Sequence, residues 1–152
     1  MAKVKLKSLG KSRQGLFDFV IKHVFTQGKP ALSEDGDCQY RGENNTSCAM
    51  GCLITDKEYA RLNKGWVSDN NGEESEDSIE GLGAETLFDV SIVNPKDKVK
   101  MDLIRVMQGN HDIMATLAWR NKSDKEKLEG FKSNMLVTAR NFNLNTELLE
   151  TY

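Results

Sequence analysis

Apolar residues along this chain fall into three long helical stripes separated by a stretch with a different grammar. Leu16, Phe17, Val20, Ile21, Val24 and Phe25 recur one turn apart and predict an amphipathic α-helix. Ser12 supplies its N-cap, and Gly28 followed by Pro30 its stop. Val99, Leu103, Val106, Met107, Met114 and Leu117 mark one face of a second helix. Asn94-Pro95 is expected to open it, Gly109 is a weak point, and it should run to about Arg120. Ser123-Asp124-Lys125-Glu126 is a capping box, and Leu128, Phe131, Met135, Ala139 and Phe142 stripe the last helix. Asn143 can end it, and these two helices, a few residues apart, are expected to pair antiparallel. Shorter helices are predicted at about Ala84–Val90 and at Lys57–Leu62, the latter capped by Thr55 or Asp56 and ending near Gly65.

Between Pro30 and Ile54 the helical period is lost. Asp35-Gly36-Asp37 signals a turn, while Cys38–Arg41 and Cys48–Ile54 read as short strands. The residues between them, Gly42-Glu43-Asn44-Asn45-Thr46-Ser47, favour turn and left-handed conformations. A two-stranded hairpin is marginal alone in water, so it must lie on helices. The expectation is a single α+β domain of 152 residues, mostly helical, with one small antiparallel β-hairpin packed on helices. Residues 1–11 read as a basic N-terminal arm. Residues 68–78, acidic and without apolar side chains, read as a mobile loop.

Charge sharpens this picture. Residues 1–29 carry seven Lys/Arg against one Asp, whereas residues 30–94 carry fourteen acidic against four basic residues. Such asymmetry bears on partners and association rate. Lys3, Lys5 and Lys7 at one pole, and Glu73, Glu74, Glu76 and Asp77 at the other, are candidate docking residues. No apolar run is long enough to span a membrane, and the basic N-terminus lacks the features of a secretory signal. A cytoplasmic protein with reduced thiols is expected.

The three cysteines, Cys38, Cys48 and Cys52, invite a metal or redox reading. Structural zinc wants four ligands, usually in two close pairs, and only His23, His111 or a carboxylate is left to complete the set. Buried thiols acting as small hydrophobes are the simpler expectation. Gln108-Gly109-Asn110-His111-Asp112 resembles one block of a two-metal phosphoesterase, but two histidines are too few to hold two ions. No phosphate-cradling glycine loop is present. The alternation in "KVKLKSL" fits an edge strand with its lysines outward or an arm contacting phosphates, and it contains no stacking aromatic.

One pattern goes further. Cys38-x-Tyr40-Arg41-Gly42 followed by Cys48-Ala49-x-Gly51-Cys52-Leu53-Ile54-x-Asp56-x-x-Tyr59 resembles a motif of short proteins carried by tailed bacteriophages and prophages. Those proteins are similar again at a helix where a hydrophobic residue precedes Gln-x-x-His-Asp, here Ile104, Gln108, His111 and Asp112. This chain departs from the pattern in lacking a hairpin-tip glycine and in placing Thr55 where proline is common. Gly42 and Gly51 suit a tight turn and a close backbone approach. Arg41 and Asp56 are expected to pair, and Gln108, His111 and Asp112 share a helical face. Tyr40, Arg41, Asp56, Gln108, His111 and Asp112 form either a polar network or a binding face. The resemblance implies a non-enzymatic phage accessory protein, without cofactor, metal or catalytic residues. Its expected role is to bind and modulate a host bacterial protein of transcription, replication, proteolysis or defence, with inhibition favoured over recruitment. The alternative is a nucleic-acid or nucleotide binder using the basic arm.

Overall fold

The computed structural model describes residues 2–69 and 79–152, the side chains of residues 67–69 excepted. The fold is mostly helical α+β, with five α-helices and one two-stranded antiparallel sheet among the described residues. Helix α1 spans Arg13–Gln27; Ser12 caps it by accepting the Gly15 N–H, and Gly28 closes it with a φ of 80°. Leu16, Phe17, Val20, Ile21 and Val24 are completely buried, so α1 runs through the core. It packs on α4, Lys98–Ile113, which packs in turn on α5, Asp124–Asn141. Phe131, Met135 and Ala139 seal the α5 side, and its capping box forms as expected, with Asn143 left-handed beyond its end. Helix α3 occupies Ala84–Val90.

Three expectations are corrected. The long helix starts at Lys98, capped by Asp97 rather than Asn94, and stops at Ile113 instead of Arg120. The amides of Met114, Ala115 and Thr116 bond three residues back, tightening the chain out of the helix. Leu117, expected on the apolar face, is therefore 83% exposed, and Val106 is exposed too. Helix α2, Asp56–Asp69, runs past Gly65. That glycine is buried and lines a cleft with Val4 and Val90.

The hairpin is also displaced. Its strands are β1, Arg41–Gly42, and β2, Thr46–Ser47, joined through Asn44 and Asn45, both at positive φ. The asparagines take the left-handed positions that a tip glycine would otherwise fill. Cys48–Ile54 is a helical turn, not a strand: the Cys52 N–H bonds to Cys48 O, Leu53 to Met50 and Ile54 to Gly51. Burial of Ala49, Met50, Leu53 and Ile54 follows a turn's period rather than a strand's.

The N-terminal residues are fastened to the body. Val4 bridges Ile92 in parallel, with the Val4 N–H donating to Ser91 O and the Val93 N–H to Val4 O. Val4 and Leu6 are buried while Lys3, Lys5 and Lys7 face outward, as an edge strand requires. Glu58, buried at the start of α2, accepts the Lys7 and Thr55 amides.

Candidate functional site

The irregular segment between α1 and α2 carries the three cysteines, and several of its backbone amides are held by side chains from distant elements. Helix α4 presents Gln108, His111 and Asp112 to it. Gln108 Oε1 accepts the Met50 N–H at 2.7 Å, and Gln108 Nε2 donates to Asp112 Oδ1 at 2.7 Å. His111 is fully buried, and its Nε2 accepts the Ala31 N–H at 3.0 Å. The ring proton therefore sits on Nδ1, 3.2 Å from Asp112 Oδ1. One helical face thus grips the segment on both sides of the hairpin.

Arg41, on β1, donates to Ser47 Oγ, Gly51 O, Ile54 O and Asp56 Oδ1 at 2.7–3.2 Å. Its guanidinium also lies 5.0 Å from the centre of the Tyr59 ring. The expected ion pair with Asp56 forms, but Asp56 is fully exposed, so the buried carbonyl bonds hold Arg41 more than the pair does. The Tyr40 hydroxyl donates to Leu82 O, and burial pushes its pKa up. Glu80, which sequence reasoning passed over, accepts the backbone N–H groups of Tyr40 and Arg41 and the Tyr59 hydroxyl. Its only sequence signal was a lone acid between Ile79 and Gly81, just beyond the acidic run.

The motif glycines are required by contact. A Cβ on Gly51 would lie 2.1 Å from Tyr40 O, and one on Gly42 would lie 2.6 Å from Leu32 N. On the far side of the hairpin, Gln27 accepts the Ser47 N–H and donates to Ser47 O, which also accepts from His23 Nε2 at 2.9 Å. Burial lowers the His23 pKa.

The three thiols are free and at least half-buried. Desolvation pushes Cys48 up to about 12 and raises Cys38 and Cys52 as well, which disfavours the thiolate a nucleophile needs. Cys38, His111 and Asp112 each bring a ligand-capable atom within 4.8 Å of the others. The imidazole chemistry opposes a metal there. An ion on Nδ1 would displace the proton while Nε2 still faces the Ala31 donor, leaving a ring with no proton or an amide with no acceptor.

All six candidate polar residues are therefore built into one bracing system around residues 31–56. Of the candidate docking residues, Lys3, Lys5 and Lys7 are exposed, with Lys3 Nζ 3.3 Å from Phe88 O. Glu73, Glu74, Glu76 and Asp77, and with them most of the predicted acidic loop, lie outside the described residues. No helix among the described residues is long and apolar enough to cross a membrane. Comparison with known proteins gives no matching family model, no matching curated protein and no matching solved structure.

Proposed function

We propose that this chain is a bacteriophage accessory protein that acts without catalysis, binding a host bacterial protein in the host cytoplasm and inhibiting it. The observation that supports this reading is the commitment of the motif's polar groups. Arg41, Gln108, His111 and Asp112, the side chains best suited to chemistry, hold backbone and one another. The charge the chain carries is unevenly divided along it, which favours recognition of a partner by its electrostatics. Transcription, replication, proteolysis and defence proteins are the classes of target that the phage resemblance suggests.

Affinity capture from a bacterial lysate tests the reading. One host protein is expected in stoichiometric yield, and its activity should fall when the purified chain is added. Recovery of no stoichiometric partner overturns the reading. A second reading, nucleic-acid binding, draws on the outward row of Lys3, Lys5 and Lys7. Co-purified nucleic acid, seen as a raised absorbance ratio and released by salt, would favour it.

A further inference from the structure

Two basic stretches far apart in sequence are brought together by the Val4–Ile92 bridge. Residues 2–13 and 93–100 carry eight Lys/Arg, namely Lys3, Lys5, Lys7, Lys11, Arg13, Lys96, Lys98 and Lys100, against one carboxylate, Asp97. That carboxylate is occupied. Arg13 donates to both its oxygens at 2.7 and 2.9 Å, and the Val99 N–H adds a third bond, holding its pKa below the usual carboxylate range.

Between the two stretches lies a groove of about 400 Å³. Its accessible apolar lining comes from Leu9, Val93 and Pro95, with Val93 39% exposed, and Asp97, tied to Arg13, also borders it. Lys5 and Lys96 stand exposed at its edges, and Lys100 is held half-buried by donating to Leu9 O at 3.1 Å.

From this charge and lining we propose that the groove is the docking site for an acidic segment of a partner protein whose carboxylates alternate with aliphatic side chains. The ammonium groups attract the carboxylates and speed encounter. The apolar lining adds what a nucleic-acid backbone does not use, and no aromatic side chain lines the groove for bases to stack on. The inference rests on the partner-binding reading above and names the face and the chemistry it selects.

The test is fluorescence anisotropy with the full chain and a short labelled peptide of alternating Glu and Leu. A Glu-Ser peptide of equal charge and a single-stranded DNA of equal length serve as competitors. The Glu-Leu peptide should bind saturably and displace both competitors' binding. The double variant Lys5→Glu/Lys96→Glu should bind it about tenfold more weakly at low salt, with the gap closing as salt rises. Val93→Ser should weaken binding by a factor that salt does not change.

An unchanged melting temperature shows that the variants are folded. Equal affinity for the Glu-Leu and Glu-Ser peptides overturns the apolar part of the proposal. Tighter binding of the DNA overturns the choice of partner class. Peptide binding by the double variant at wild-type strength overturns the face. Lysate capture of the same host protein at wild-type yield by the double variant also overturns the face, while leaving the partner-binding reading standing.

Discussion

Arg41 and Lys96 bring the same charge into opposite circumstances. Arg41 is three-quarters covered, its two terminal guanidinium nitrogens reach four acceptors, and the Tyr59 ring lies 5.0 Å away. Lys96 stands exposed at the edge of a groove, its ammonium without a partner among the described residues. Around Arg41 the backbone of residues 31–54 has little regular pairing, so side chains satisfy its buried amides. Around Lys96 the backbone is already served by the Val4–Ile92 bridge and the start of α4, which leaves side chains free for something else. The lesson is that a motif dense in chemically capable residues marks where the fold is hardest to hold. The proposed docking groove falls where holding is already done.

Substitutions can break this contrast, and the largest expected effect is at Gly51. Gly51→Ala forces a Cβ into Tyr40 O, a backbone atom that cannot swing aside, so a loss of about 4 kcal/mol or outright failure to fold is expected. Urea denaturation measures it, and a near-neutral result would refute the requirement for glycine at this contact. His111→Ala removes the acceptor of the Ala31 amide and opens a hole in the core. It should destabilise by about 3 kcal/mol, read by thermal and urea melts. Arg41→Ala strips two carbonyls, those of Gly51 and Ile54, of their donor and should lower stability by about 2 kcal/mol, yet leave partner capture per folded molecule unchanged. Loss of capture by a folded Arg41→Ala protein would turn the brace into a binding face and end the distinction.

Lys96→Glu sharpens the contrast from the other side. Stability should stay within about 0.5 kcal/mol of wild type, while association with an acidic partner slows most at low salt. The smallest effect is in pH. Burial holds the folded His23 pKa below its ordinary 6.5, so the unfolded chain takes up the proton first as pH falls. The stability that neutral His23 supplies is fully present above pH 6.5 and is lost as pH falls through the lower folded value. Denaturation midpoints across that window should decline less in His23→Gln, which can still donate to Ser47 O.

Much of the helical frame was legible in the sequence because caps are local. Ser12, Gly28 and Ser123 each announce an end through their own neighbours, and all three sit where expected. The end of α4 was not legible, since Met114 and Leu117 continue the apolar rhythm after the backbone has left the helix. The hairpin slipped because its register depends on Glu80 and Gln108, residues 39 and 58 positions away along the chain from the amides of Arg41 and Met50 that they receive. Of the candidate polar residues, the shared helical face of Gln108, His111 and Asp112 was legible from their spacing, and Tyr40, Arg41 and Asp56 lie within the segment that this face holds. Glu80 was not, for one carboxylate after an acidic run carries no mark of the contact it makes. The basic groove was half legible: the N-terminal lysines stand out in the sequence, but only the fold sets Lys96 and Lys100 beside them.

The grip of α4 on Ala31 and Met50 has a consequence for synthesis. A ribosome makes residues 28–55 long before it makes residues 108–112, and until those emerge the amides of Ala31 and Met50 lack their acceptors. Cys38, whose thiol lies against Asp112 O, gains that cover only when α4 arrives.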